Sequence, residues 1–260
     1  MESRTRAIAE AVLAPLFGLM VMGGVWALVA WAMNNPVLLP PPTAVLAALV
    51  DILQDELIGD ILASLYHLGT GMAAGVTLGL ILAFAAAATP WFADLVEPLV
   101  ELLRPISGIA WIPLAIMMFG IGEAVPIFLI GYVSVFPIFL NTLAGIRSVD
   151  ARLVDAARVL GASRWMIQRE VILPAALPMV LSGLRLSLGV AWMTLIGAEL
   201  IGGESGLGWR AFWYEQFFAM NKNLAVILVV GILGLTFDTA IRLLQKRLVR
   251  WAPSAQEGEP

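Results

Sequence analysis

Cysteine is absent from this 260-residue chain, and histidine occurs once, as His67. Without thiols there is no disulfide framework and no thiolate metal site, and a single imidazole cannot build a histidine metal cluster. Charge is scarce too: Asp, Glu, Lys and Arg make up 13% of the residues while 60% are hydrophobic, and the mean hydropathy is +0.92. A soluble globular chain is about 45–50% apolar, so this composition belongs in a bilayer. The formal net charge of −4 says little there, because the placement of cations, not their sum, sets orientation. The pattern G-x4-G-K-[ST] is missing, so the chain has no P-loop for ATP. No H-E-x-x-H pair occurs either, which leaves little for catalysis.

What the sequence has is apolar runs. About 20 helical residues cross a bilayer, and runs near that length lie at 11–33, 62–88, 97–119, 124–146, 179–201 and 223–245. The expected fold is therefore an all-α integral membrane protein with about six transmembrane helices. The first run exceeds the 7–15 apolar residues of a signal peptide and has no small-residue cleavage site after it, so it reads as a retained helix. Cations set the orientation. Arg4 and Arg6 precede the first span; Arg147, Arg152, Arg158, Arg164 and Arg169 lie between the fourth and fifth; Arg242, Lys246, Arg247 and Arg250 close the sixth. The opposite side has only Arg210 and Lys222 in its loops. Both termini and the 4–5 loop are thus expected in the cytoplasm.

The expected organisation is an N-terminal transmembrane helix over 1–33, an extracytoplasmic amphipathic segment over 34–61, a transmembrane core over 62–250 containing a polar loop at 147–175, and a cytoplasmic tail over 251–260. In the second segment Val45, Leu46, Leu49, Ile52 and Leu53 share one helical face, with Asp51, Asp55 and Glu56 off it. That face suits a helix lying on the outer membrane surface, its acidic edge either solvated or available to an external protein.

Gly71, Gly75 and Gly79 recur at intervals of four and predict a close helix–helix contact. In RPISGIAWIP the residues Pro105, Gly108 and Pro113 interrupt what would otherwise be a regular span. Broken helices are tolerated at membrane depth where protein or a water-filled path satisfies the freed backbone. A path there would use Arg104, Ser107 and Trp111, although Arg104 could equally pair with Glu101 one turn earlier.

Ionisable groups inside spans are functional candidates because each costs about 2.5–3.5 kcal/mol to insert. Arg185, about 9 Å from the inner end of its span, and Asp238, about 22 Å from the outer end of its own, reach similar depths. They can pair across helices, or Asp238 can pair with Arg242 four residues on. Glu199 opens GAELIGGESGLGW, whose glycines at 202, 203, 206 and 208 predict a tight or re-entrant turn. The translocation-path candidates are accordingly Arg104, Ser107, Trp111, Arg185, Glu199 and Asp238. His67, near the outer end of the second span, reads as a polar anchor at the interface.

The polar loop carries DAARVLGASRWMIQREVILPAALP. Ser148 is placed to cap a helix over about 149–160, Gly161 to end it, Ser163 to cap a second over about 164–172, and Leu173-Pro174 to close that one. Its charges are too many for lipid and its apolar residues too many for water, so the loop predicts a cytoplasmic protein partner.

Asp155-Ala156-Ala157, three residues, Gly161, nine residues, Val171, one residue and Leu173-Pro174 match the EAA motif, EAA-x3-G-x9-I-x-LP. The chain resembles the permease subunits of type I ABC importers that carry this motif. Asp155 for Glu and Val171 for Ile depart from it conservatively. LPPPTAVLAAL, VEPLVELLRPISGIAWIPLAIMMFGIGE and GAELIGGESGLG extend the resemblance, specifically to the nitrate, taurine and aliphatic-sulfonate branch. In LASLYHLGTG the basic residue usual after the Ser is replaced by Tyr66 and His67. The resemblance implies a multi-pass protein of the bacterial cytoplasmic (inner) membrane that works with two copies of an ABC ATPase, an extracytoplasmic substrate-binding protein and a second permease subunit, a homodimer being expected. It implies a coupling set of Asp155, Ala156, Ala157, Leu160, Gly161, Ala162, Arg164, Leu173 and Pro174. No cofactor is expected on this chain, ATP and Mg belonging to the ATPase, and no nucleic acid. Nitrate, taurine or sulfonate would be carried, or else bicarbonate, an aromatic acid or a vitamin-like heterocycle. An ion-gradient transporter and a membrane enzyme are the competing classes.

Overall fold

The computed structural model describes residues 2–55 and 57–248, with side chains from residue 17 onward except at 55, 246 and 248. The expected cytoplasmic tail 251–260 and the side chains of Arg4, Arg6, Lys246 and Arg250 lie outside the described residues. The order is α1 (Glu2–Met33), α2 (Pro42–Asp55), α3 (Leu57–Ala88), α4 (Pro90–Leu103), a 3-10 turn (Gly108–Trp111), α5 (Ile112–Phe119), α6 (Ala124–Arg147), α7 (Ala151–Val159), α8 (Arg164–Ile167), a π turn (Gln168–Ile172), α9 (Leu173–Gly202), α10 (Leu207–Gln216) and α11 (Met220–Leu248). Among the described residues no strand occurs.

Four of these runs are long and apolar enough to cross a membrane: Leu57–Ala88, Ala124–Arg147, Arg164–Gly202 and Met220–Gln245. The expected span at 97–119 is not one straight helix. It is a bent pair, Pro90–Leu103 and Gly108–Phe119, turned by 91° at the break. Pro105 has no N–H to continue the ladder, and at the break the Leu103 carbonyl accepts from the Ile106 N–H at 3.1 Å and from the Tyr132 hydroxyl at 3.0 Å. The first expected span falls within α1, whose described apolar part is Phe17–Met33.

The described residues divide into two compact units, 60–209 with 230–248, and 2–59 with 210–229. In the larger unit α6 is the central element. It shares Phe139 and Leu143 with Ala83 of α3 and Val96 and Val100 of α4, Ile130 with Leu68 of α3 and Leu195 of α9, and Leu129 with Ile112 of α5 and Ala198 of α9. The glycine row of α3 packs there as predicted. A Cβ on Gly71 would stand 2.7 Å from Ile130 Cβ, and one on Gly79 2.9 Å from Ile138 Cγ2 and the Val135 carbonyl oxygen. Apolar side chains gain nothing by leaving lipid, so backbone approach of this kind supplies the dispersion contact that holds membrane helices together. Gly145 and Gly183 serve the α6–α9 contact in the same way, against Met179 and Asn141.

In the smaller unit α2 buries Val45 and Ile52 and leaves Leu46 and Leu53 exposed. The apolar face read from periodicity is wider than the part covered by protein, because hydrophobic spacing cannot separate protein-facing from lipid-facing residues. Lys222 Nζ lies 3.4 Å from Asp51 on α2, and Asn223 Nδ2 donates to the Ala211 carbonyl at 3.1 Å.

Candidate functional site: a cavity, a buried latch and an exposed hairpin

Three places gather the residues singled out by the sequence. The first is the break between α4 and α5. Gly108 is buried, and a Cβ there would meet Val133 Cγ1 at 2.6 Å and Thr194 Cγ2 at 3.0 Å, so only a glycine lets the broken segment settle against α6 and α9. Beside it opens a cavity of about 620 Å³ lined by Arg104, Ser107, Val133, Asn141, Val190 and Thr194 among others. Arg104 caps the C-terminal end of α4, where a cation also faces the negative end of the helix dipole. The alternative pairing with Glu101 does not form: among the described residues Arg104 has no ion-pair partner. Trp111 does not line the cavity and instead packs its ring 5.5 Å from that of Tyr132.

The second place is the α9–α10 turn. Glu199 is fully buried and is not among the residues around the cavity. Its carboxylate accepts from Ser64 Oγ at 2.8 and 2.9 Å, from His67 Nδ1 at 2.8 Å and from the Gly208 N–H at 2.9 Å. Ser64 Oγ itself accepts from the Leu207 N–H at 2.8 Å, which leaves its one proton for the carboxylate. The Gly206 N–H donates to Asp60 Oδ1 at 3.2 Å. Three successive N–H groups at the start of α10, which no intrahelical carbonyl can reach, are thus satisfied by side chains from α3 and α9.

The glycines of the turn are the counterpart of this cradle. Gly206 sits at φ +103°, and any Cβ on it would strike the Glu199 carboxylate; one on Gly208 would stand 2.9 Å from Glu199 Cβ. The tight turn expected for GAELIGGESGLGW is present, and Glu199 is its anchor. His67 is not an interface anchor: it is completely buried on the carboxylate, because a polar ring inside the membrane is cheapest where it is hydrogen-bonded. The residues that sequence reading passed over are Asp60 and Ser64. With His67 they stand at i, i+4 and i+7, one helical face, and that spacing inside an apolar run was the available signal.

Arg185 and Asp238, the remaining path candidates, meet each other. Arg185 Nε lies 2.8 Å from Asp238 Oδ1, and Arg242 contacts the other carboxylate oxygen. Both pairings foreseen for Asp238 therefore occur together, joining α9 to α11, and neither residue is among those around the cavity.

The third place is the loop between α6 and α9. Arg147, at the end of α6, forms a bidentate pair with Glu97 of α4 at 2.9 and 2.6 Å. Helix α7 then starts at Ala151, capped by Asp150, whose carboxylate accepts from the Arg152 N–H. Ser148 is not the cap as expected; its hydroxyl turns back onto the Gly145 carbonyl at 2.8 Å, and the aspartate two residues on has the extended backbone a cap needs. The C-terminus matches expectation: Gly161 takes φ +81°, its N–H bonds the Arg158 carbonyl and the Ala162 N–H the Ala157 carbonyl, a Schellman ending. Ser163 accepts from the Met166 N–H at 3.3 Å and caps α8 as predicted.

Leu173-Pro174 does not close that helix. Arg164–Gly202 runs on as one element of 39 residues. The π turn makes this possible: the Leu173 N–H reaches back five residues to the Gln168 carbonyl, which loosens the ladder where Pro174 has no N–H to offer.

The resulting hairpin is uncovered. No residue of α7 is buried, and Val159 and Leu160 are each 87% exposed and Trp165 70%. Asp155 and Arg158 pair with each other at 3.1 Å on the exposed surface. Ala157, Leu160, Gly161 and Ala162 edge a shallow hollow closed on its other side by Met166 and Glu170. Ala156 and Arg164 are exposed beside it, and Leu173 and Pro174 lie at the entry to α9.

Residues 75–251 match the family described as binding-protein-dependent transport system inner membrane component. The chain is 39% identical over 235 residues to the putative aliphatic sulfonates transport permease protein SsuC of Bacillus subtilis, covering 90% of this chain and 83% of that one. It is 37% identical over 238 residues to the taurine transport system permease protein TauC of Escherichia coli, covering 89% and 86%. Among solved structures, an amino acid ABC transporter crystallised with histidines superposes with a TM-score of 0.61 over 72% of this chain and 92% of that one, at 21% identity, which speaks for the fold.

Proposed function

The chain belongs to the family of binding-protein-dependent transport system inner membrane components, and from that premise we propose that it carries a small anion of the sulfonate or taurine type across a bacterial cytoplasmic membrane. It is the multi-pass permease subunit of an ABC importer and moves its solute without transforming it. In our reading the solute arrives on an extracytoplasmic binding protein. Two cytoplasmic ATPases, which hold ATP and Mg, each engage one permease of a pair built from two copies of this chain. The termini lie in the cytoplasm.

The observation that carries this reading is the bare hairpin α7–α8. It offers Val159, Leu160 and Trp165 to a partner and stands between α6 and α9, the two helices that wall the cavity. A partner that closes on ATP binding would move the hairpin as a lever. Because α8 continues through the π turn into α9 without a break, displacement of the hairpin reorients α9 directly and opens the path outward; hydrolysis resets it. Asp155, Ala156, Ala157, Leu160, Gly161, Ala162 and Arg164 are the residues proposed to meet the ATPase, with Leu173 and Pro174 transmitting the motion. In the resting protein the cradle of Glu199 and the Arg185–Asp238–Arg242 group brace the moving helices.

The test is co-purification and transport together. A tagged chain in mild detergent should retain its ATPase, and Gly161→Trp, which forces a bulky side chain into a left-handed backbone position, should abolish ATP-driven uptake. A chain that holds no ATPase and a Gly161→Trp variant that transports normally would end this reading.

A further inference from the structure

We propose that the cavity at the α4–α5 break is an anion subsite of the permease itself, taking an organic anion with a short apolar tail in preference to a bare inorganic oxyanion. The inference rests on the reading of the chain as an anion importer and adds where the solute is held and what distinguishes it. Two sets of groups meet in this space. One is polar: Arg104 and Ser107 on the broken segment, Asn141 on α6 and Thr194 on α9. The other is hydrocarbon, with Ile109, Val133, Val190 and Met193 among its walls.

Arg104 is the anchor. It has no ion-pair partner among the described residues, as is true of Arg152, Arg164 and Arg169 on the hairpin, but it is the arginine that stands at the cavity. A planar guanidinium presents a fork of N–H donors that matches a sulfonate or carboxylate. Ser107 can donate a further hydrogen bond. Asn141 uses one N–H on the Pro137 carbonyl at 2.8 Å, which leaves its other donor and its amide oxygen available. That oxygen suits an ammonium or hydroxyl on the tail.

Size favours a solute larger than a bare oxyanion. The cavity volume of about 620 Å³ falls within the range of about 300–1,000 Å³ found for small-molecule sites. Taking about 30 Å³ per water molecule, it equals roughly twenty waters. An oxyanion of four heavy atoms would leave most of that space to water held against hydrocarbon. A tail of a few carbons displaces that water and takes its own methylenes out of water as well.

The experiment uses the full chain assembled with its ATPase and binding protein in membrane vesicles, and butane-1-sulfonate, taurine and nitrate as probes. In the wild type, ATP-driven uptake is expected to rank butane-1-sulfonate and taurine above nitrate. Arg104→Gln should reduce sulfonate uptake at least tenfold, and Arg104→Lys, which keeps the cation, should recover part of it. Val190→Trp, which fills the hydrocarbon wall, should raise the KM for butane-1-sulfonate severalfold more than that for taurine. Co-purification of the ATPase with each variant separates a lost subsite from a lost fold. Wild-type sulfonate uptake in an assembled Arg104→Gln complex would overturn the subsite while leaving the anion importer standing. A Val190→Trp variant that raises the KM for taurine as much as that for butane-1-sulfonate would overturn the organic tail. A complex that takes none of the three probes yet hydrolyses ATP in response to a neutral solute would overturn the anion reading and the subsite with it.

Discussion

Glu199 shows what one buried charge needs from its surroundings. Its carboxylate accepts from a hydroxyl, an imidazole and a backbone N–H, and two of the glycines around it are there to keep a Cβ out of its way. Glu199→Gln keeps the shape but replaces one acceptor oxygen with an NH2 that must face one of those donors. The expected cost is about 1–3 kcal/mol for the group left unsatisfied, read as a drop in the midpoint of thermal unfolding of the detergent-purified chain. Gly206→Ala should cost a similar amount by a different route, since a non-glycine residue forced into that backbone region pays roughly 1–3 kcal/mol before its methyl displaces the carboxylate. The two effects should not add, because both break the same cradle. A double variant as unstable as the sum of the singles would show that the two residues act independently. None of this pairing could be read from the sequence: Ser64 and His67 lie 135 and 132 residues from Glu199, and a partner at that distance has no local signature. Only the shared helical face of Asp60, Ser64 and His67 was visible.

Elements were more legible, and for a physical reason. Caps, breaks and close-packing rows are written by neighbours in the chain. The Schellman ending at Gly161, the cap at Ser163, the break around Pro105 and the glycine row of α3 all follow from residues within a turn or two. Where reading by element missed, a competing local group had won. Asp150 took the capping role from Ser148, and the π turn let α8 run into α9 through the proline expected to stop it. The glycine row makes a graded prediction. Gly79→Ala places its methyl 2.9 Å from Ile138 Cγ2 and from the Val135 carbonyl oxygen, so a side chain and one stretch of backbone must give by a little, whereas Gly75→Val drives a branched side chain onto the Gly131 carbonyl oxygen, which even a Cβ would strike, and onto Ser134, whose Cβ would be 2.7 Å away. Overpacking costs about 1–3 kcal/mol for a modest insertion and more where backbone must move. Gly79→Ala should therefore still accumulate in membranes, with a clear loss of thermal stability of about 1–3 kcal/mol, and Gly75→Val should accumulate poorly. Equal accumulation of the two variants would mean that the α3–α6 contact is looser than this packing describes.

At the scale of the whole molecule, the division of labour follows from where the chain leaves surface uncovered. A helix with no buried residue draws little of its stability from packing, here through the half-buried Val154 and Ala157, so α7 persists chiefly on capping, propensity and whatever docks on it. Two substitutions separate docking from transmission. Leu160→Glu puts a charge on a side chain that is 87% exposed and touches no core; it should leave folding intact, while loss of an apolar anchor at the centre of an interface typically costs about 2 kcal/mol or more, a loss of at least tenfold in ATPase affinity. Asp155→Lys acts otherwise. Asp155 pairs only with Arg158 on the open surface, a contact worth about 0.2–1 kcal/mol at most, so its loss cannot unfold the hairpin. The new lysine stands beside Arg158 and changes the sign of the face offered to the ATPase, and the expected result is ATP hydrolysis that no longer drives uptake while the ATPase still binds. Measured in the same vesicles, Leu160→Glu should lower hydrolysis and uptake together, and Asp155→Lys should lower uptake alone. If Asp155→Lys couples as well as the wild type, the aspartate lies outside the surface that carries force, and the lever rests on Leu160, Gly161 and the helix that leads from them into α9.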